Sequence, residues 1–210
     1  MNYKKFLNVV GVSAVAVVFC VGCNQDDDPP ADPNDGKGDD SYIYSGGSVT
    51  IGTQTWMAEN LNRATTNSTC YNNNADSCAK YGRLYTWGAA KIACPSGWRL
   101  PTDAEWTALT GAVGGEWVAG EKLKATSGWY NGWNNNGNGT DEYGFSALPG
   151  GFGYSGGDFS YAGSLGYWWS STDNDASGAW NRYMDAVHEN VYRSGDYGEA
   201  FMFSVRCVQD

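Results

Sequence analysis

Arg99-Leu100-Pro101-Thr102-Asp103-Ala104-Glu105-Trp106 carries the sharpest structural instruction in the chain. Thr102 followed by Glu105 forms a capping box. The threonine hydroxyl takes the amide of the third helical residue, and the glutamate reaches back to the threonine amide. Trp106, Leu109 and Val113 then fall at helical spacing and define one buried face. Gly114-Gly115 stops the helix, because glycine adopts the left-handed backbone of a helix end without a Cβ clash.

Upstream, Leu84, Trp87 and Ala90 predict a second short helix over 81–92. Val49-Thr50-Ile51-Gly52-Thr53-Gln54-Thr55-Trp56-Met57 predicts a hairpin turning at Gly52-Thr53. Beyond Trp129 the chain is broken repeatedly by Gly and Asn, with strands predicted at 144–148, 166–171, 179–186, 190–192 and 200–208. Two short helices followed by short antiparallel strands make an α+β class. No period of ~20–50 residues recurs, which excludes a repeat array. Trp56, Trp87, Trp98 and Trp106 are assigned to the core. Trp168 and Trp169 are adjacent, so on one strand they face opposite sides, and one of them is assigned to the core.

Composition bounds the function. Across 210 residues, 13 Lys+Arg stand against 23 Asp+Glu, a net charge of -10, with a single His. A chain this acidic does not neutralise phosphates, so nucleic acid is excluded as a partner. One imidazole cannot furnish a multi-histidine metal site. Aromatic residues at 15% are too many for a disordered chain.

Lys4 and Lys5 precede an apolar run over 6–22, the pattern of an export leader and too short for a comfortable membrane span. Cys20-Val21-Gly22-Cys23 resembles a bacterial lipobox, in which Cys23 becomes the lipidated N-terminus, with Cys20 standing where that motif usually has Leu or another aliphatic residue. We therefore expect a lipoprotein signal peptide over 1–22, an acidic flexible tether over 23–41 and a folded domain over 42–210. The tether holds seven Asp and one Lys and no aliphatic residue larger than Ala, too little to offset ordering entropy. Its acidic start resembles the surface-export signal of Bacteroidetes-type lipoproteins, so the expected location is the outer membrane or cell surface. The domain keeps a net charge of -6, so its membrane partner is reached through acyl chains rather than by charge.

Cys70, Cys78, Cys94 and Cys207 remain in the domain, an even number that argues for two disulfides in an exported protein. Three pairings exist. We favour Cys70–Cys78, which ties a polar loop, and Cys94–Cys207, which joins mid-chain to the end. The spacings lack the paired knuckles of a four-thiolate zinc site.

Ile51-Gly52-Thr53-Gln54-Thr55-Trp56-Met57-Ala58-Glu59-Asn60-Leu61 resembles the opening of the Fibrobacter succinogenes major paralogous domain. Blocks starting at Tyr81, Cys94, Gly144 and Trp168 resemble that family in order, as does Phe203-Ser204-Val205-Arg206-Cys207-Val208. Arg99-Leu100-Pro101-Thr102-Asp103-Ala104-Glu105-Trp106 is similar to a segment of formylglycine-generating enzymes. That resemblance implies a C-type-lectin-like fold, which with the two expected disulfides makes a disulfide-bonded α+β domain, without implying their chemistry.

The four domain cysteines are expected to be paired, so no free thiol nucleophile is expected. His188 is the only base for a serine triad and is read as solvent-facing. Hence no catalytic residues are assigned, and the chain is expected not to be an enzyme. The expected function is a lipid-anchored, non-catalytic binding module for polysaccharide or a surface protein. The alternatives are an envelope lipoprotein without a ligand and a carbohydrate-active hydrolase using two carboxylates. Trp129, Trp133, Tyr154, Tyr161, Trp169 and Trp180 are the candidate ligand-binding rings, because sugars stack on flat aromatic faces and interfaces favour Tyr and Trp. Asn134, Asn136, Asn138 and Asp141 offer the oxygen donors calcium prefers, the one cofactor considered, against the reading of a plain Gly/Asn turn, which we favour.

Overall fold

The hairpin forms where the sequence places it: Ser48–Ile51 (β1) pairs antiparallel with Gln54–Met57 (β2). Gly52, at φ +61°, supplies the positive φ of the two-residue turn. The computed structural model describes residues 42–131, 136–174, 178–198 and 200–210. The chain continues through Ser68–Thr69 (β3), a 3-10 turn at Tyr71–Asn73, Ala75–Tyr81 (α1), Leu84–Thr86 (β4), Trp87–Ala93 (α2) and Trp98–Arg99 (β5). Asp103–Ala112 (α3) and Glu116–Leu123 (α4) follow. The remaining strands are Phe152–Tyr154 (β6), Phe159–Ser160 (β7), Leu165–Asp173 (β8), Ala179–Asp185 (β9), Tyr192–Ser194 (β10), Phe201–Ser204 (β11) and Val208–Gln209 (β12). The class is α+β, with two predominantly antiparallel sheets and two disulfides.

Four helices stand among the described residues, against two expected. The predicted helix over 81–92 divides. Leu84–Thr86 is a strand between β3 and β11, and Thr86 then caps α2 through its hydroxyl, which accepts the Ala89 amide. α1 begins inside the polar loop expected over 70–78 and runs past it to Tyr81, capped by Asn74, whose side chain accepts the Asp76 amide. The α3 capping box is present in both directions. The strand expected at 144–148 does not form. Gly144 and Ser146 both have positive φ, which breaks the pleat, and only Ala147 makes a ladder contact, with Lys124. The expected strand over 200–208 splits into β11 and β12, which belong to different sheets.

One sheet runs β1-β2-β12-β5, so the first and last strands of the domain lie close together. The other runs β10-β9-β8-β11-β4-β3, with β6 on β11 and β7 on β6. β8 meets β11 in parallel at Trp168 and Ser204. Cys70–Cys78 and Cys94–Cys207 are both bonded, as the loop reading favoured.

The alternation along β8 separates two cores. Trp168 faces Trp106 and belongs with Trp56, Leu109 and Phe145. Trp169 faces Phe203 at 4.2 Å and belongs with Tyr85, Trp87 and Val205. Both tryptophans are fully buried, not one. Between the strands of the split 200–208 segment, Arg206 is buried completely. It donates to Asn60 Oδ1 at 2.8 and 3.1 Å, to Met57 O at 3.1 Å, and to the carbonyls of Phe145 and Ser146. Its guanidinium also lies 4.4 Å from the Phe145 ring centroid. These acceptors are all neutral, so one cation ties β2, the 144–148 segment and the chain end together by hydrogen bonds alone.

Candidate functional site

Aromatic residues at alternate positions of neighbouring strands form a ladder across the larger sheet. The rings of Phe203, Tyr167, Tyr183 and Tyr192 stack in succession at 4.8, 5.2 and 4.6 Å. The register pairs Tyr167 with Tyr183 and Tyr183 with Tyr192, so cross-strand packing builds the stack. Burial, with the Tyr197 hydroxyl 3.3 Å away, holds the Tyr167 phenol well above its usual range. Phe152, also buried, carries the ladder's edge to the surface through Tyr154 at 5.4 Å and Tyr161 at 5.7 Å. Tyr154 is 37% exposed and Tyr161 59%. Tyr161 also holds φ +66°, an unfavourable backbone for a bulky residue, and presents its ring outward there.

Beside Tyr154 lies a cavity of about 230 Å³. One wall is the segment from Asn67 to Asn73, fixed by the Cys70–Cys78 bridge and by the Asn67 carbonyl, which accepts the Thr86 amide at 3.1 Å. The other is the β6–β7 hairpin with Tyr154, Ser155 and Phe159. Phe159 is backed by Tyr71 at 5.4 Å. Thr69 donates to Asn73 Oδ1 at 2.8 Å, which leaves the two Asn73 Nδ2 hydrogens for a ligand. Among the described residues the Asn67 amide, the Ser155 hydroxyl and the Tyr154 hydroxyl make no hydrogen bond. Asn67 and Asn73 hold φ +61° and +53°, a backbone that Asn tolerates better than most residues. No residue lining this groove carries a formal charge.

A second cleft, of about 270 Å³, is lined by Glu121, Lys124, His188 and Glu189 among others. His188 Nδ1 lies 2.9 Å from Asp185, whose carboxylate also accepts the amides of Val187 and His188. Burial opposes ionisation of Asp185, but these bonds outweigh it and hold the carboxyl below its usual range. Lys124 is buried, which lowers its ammonium pKa. It donates to the carbonyls of Asp185 and His188 at 3.1 and 3.0 Å. The Lys124 charge sits among these groups, which favours a packing role. Trp117, which no sequence pattern singles out, is 73% exposed on α4, one turn before Glu121.

The structure divides the predicted ring set. Tyr154 and Tyr161 are exposed at the groove's side of the domain. Trp129 is buried, donating its indole N–H to the Ala147 carbonyl at 2.9 Å, and is a core residue rather than a ligand face. Trp169 is corrected likewise, because its ring fills the second core and donates to the Tyr85 carbonyl at 2.8 Å. Trp180 is half-buried with Arg193 3.2 Å above its ring centroid, so that face is already occupied. Arg193 and the buried Arg182 both bind Asp103, at the start of α3. Trp133 and Asn134 lie outside the described residues. Of the calcium set, Asn136 and Asn138 lie together, the Asn138 side chain donating to Asn136 Oδ1 at 2.8 Å. Asp141 spends both oxygens on Ser146 at 2.7 and 2.5 Å, and Asn138 bonds Asn131, Asn136 and the Trp129 amide. No group of three or more His, Cys, Asp or Glu suited to a metal occurs among the described residues.

A family model described as Fibrobacter succinogenes major domain matches residues 49–209. No curated protein matches the chain, and no solved structure does.

Proposed function

The chain belongs to the Fibrobacter succinogenes major domain family, and from that premise we propose that it is a non-catalytic binding module, held at the bacterial cell surface by a lipid anchor and taking polysaccharide as its ligand. The observation that carries this reading is the pair of exposed rings, Tyr154 and Tyr161, braced from beneath by Phe152. Braced, exposed tyrosines offer flat contact area at little entropy cost. The anchor is Cys23, behind the leader of Lys4, Lys5 and the apolar run. A C-type-lectin-like architecture is supported by the closeness of β1 and β12 and by the Cys94–Cys207 bridge, which together close the scaffold and leave the intervening loops to carry function.

A second reading, hydrolysis of a glycosidic bond, is favoured by one observation. Glu121 and Glu189 line the same cleft on neighbouring backbone, with the Glu121 amide donating to the Glu189 carbonyl at 3.1 Å. One experiment separates the two readings. Full-length protein in detergent micelles is applied to immobilised polysaccharides, and both retention and release of reducing ends are measured. Retention without release is expected. Release that disappears in Glu121→Gln or Glu189→Gln would establish the hydrolase instead. In cells, Cys23→Ser should abolish labelling by radioactive palmitate and free the protein from membranes, and unchanged retention would remove the anchor.

A further inference from the structure

We propose that the groove between the Asn67–Asn73 wall and the β6–β7 hairpin is an uncharged-sugar subsite, with a neutral sugar ring stacked on Tyr154 and its hydroxyls paired by Asn67, Asn73 and Ser155. This inference rests on the binding-module reading above and names where and what that module binds.

Size comes first. At about 230 Å³ the groove lies below the ~300–1,000 Å³ of sites that enclose drug-sized ligands, so it suits one ring of a chain that continues into solvent. Asn67, Asn73, Tyr154 and Ser155 are all exposed at its mouth, so a polymer can lie across it.

The polar groups match hydroxyls. Neighbouring sugar hydroxyls each donate and accept, and a side-chain amide does both from one planar group. The Asn67 amide is free to do so. Asn73 has one lone pair of its oxygen taken by Thr69 and presents both Nδ2 hydrogens. Ser155 adds a hydroxyl that can act either way.

The aromatic wall supplies the remainder. Tyr154 is held by Phe152 and by Phe201 at 4.8 Å, so its exposed ring is fixed before a ligand arrives.

Charge sets the class. The groove is lined by neutral residues only, and Asp158 lies between Gly157 and Phe159 at its edge, its carbonyl accepting the Tyr154 amide at 2.8 Å. Arg83, behind this wall, already donates to the Ser68 hydroxyl at 3.1 Å. A carboxylate or sulfate sugar would meet a groove without a cation, in a chain of net charge -10.

The test is affinity electrophoresis of the full-length protein in detergent through gels containing neutral β-glucan, neutral mannan, polygalacturonate or chitosan. Retardation by at least one neutral polymer, and none by polygalacturonate, is expected. Tyr154→Ala should weaken that binding ~30-fold, the effect of losing a central interface aromatic, while Tyr154→Phe keeps most of it. Asn67→Gly removes the amide without disturbing the positive φ, and should weaken binding several-fold. Thermal midpoints of these variants should stay near that of the parent protein. Neutral-polymer binding that is unchanged in both Tyr154→Ala and Asn67→Gly overturns the subsite and leaves the binding module standing. Preference for polygalacturonate or chitosan overturns the uncharged class. Retardation by no polymer overturns the module and the subsite together.

Discussion

Arg206 illustrates what a single residue decides. Burial pushes its guanidinium down to about 10, with Tyr44, Asp141 and Glu59 too weak to restore it. The charge is retained because the N–H donors of a rigid fork meet carbonyl and amide oxygens from two other parts of the chain, 57–60 and 145–146. Removing it leaves those oxygens buried without donors. Arg206→Met should therefore cost about 3 kcal/mol or more, measured as a shift in urea unfolding. Arg206→Lys should not rescue it, since a compact ammonium cannot span the same acceptors. A lysine variant of parental stability would show that charge alone is what the site requires. Arg206 stands in the sequence within a recognisable block, but nothing local distinguishes a buried arginine from an exposed one. Its partners are Met57, Asn60, Phe145 and Ser146, all far away in the chain.

At the scale of the element, α3 is the case where local chemistry suffices. Thr102 and Glu105 are three residues apart, and both halves of the capping box form. Glu105 also takes a two-point hydrogen bond from Arg99 at 2.6 and 2.7 Å. That bond, more than the Thr102 amide and hydroxyl and against partial burial, lowers the Glu105 carboxyl to about 2. The folded pKa lies below the unfolded value of 4.5. The stabilisation is therefore fully present above about pH 4.5 and is lost as pH falls toward about 2. Chemical unfolding measured between those limits should show the parent losing stability relative to Glu105→Gln. A constant difference between the two would mean that Glu105 is not ion-paired in solution. The helix expected over 81–92 lost its first half on the same scale for the opposite reason, α2 keeping Trp87–Ala93. Leu84–Thr86 has two strand partners waiting, β3 and β11, and tertiary pairing overrode the helical spacing.

For the whole molecule the two bridges differ in reach. Cys94–Cys207 spans 113 residues and holds the chain end to the middle, whereas Cys70–Cys78 spans eight and holds one wall of the groove. In the loop-entropy model the long bridge is worth roughly 4–5 kcal/mol and the short one roughly 2–3. Guanidinium unfolding of Cys94→Ser/Cys207→Ser against Cys70→Ser/Cys78→Ser should reproduce that order. The reverse order would place the stabilisation in local strain relief rather than in loop closure.

By itself the sequence determined the β1–β2 hairpin, helix α3, the α+β class and that the four domain cysteines form two disulfides, one of three pairings being favoured. Each is specified within a few residues or by a pattern that one chain can carry: a glycine turn, a capping box, an even cysteine count. It also determined that Trp168 and Trp169 point to opposite faces, because the pleat alternates. Only the tertiary structure decided that both faces are cores, that Trp129 and Trp169 are interior, and that the 200–208 segment divides between two sheets around Arg206. The groove belongs to that second group. Its walls come from residues 67–73, 86, 154–159 and 202, and exposure of Tyr154 but not of Trp169 follows from which neighbours the packed sheets bring against each ring. Hydrogen bonds between near neighbours are written in local spacing. Burial is a sum over residues distant in the chain, and it takes its value only when the chain has closed on itself.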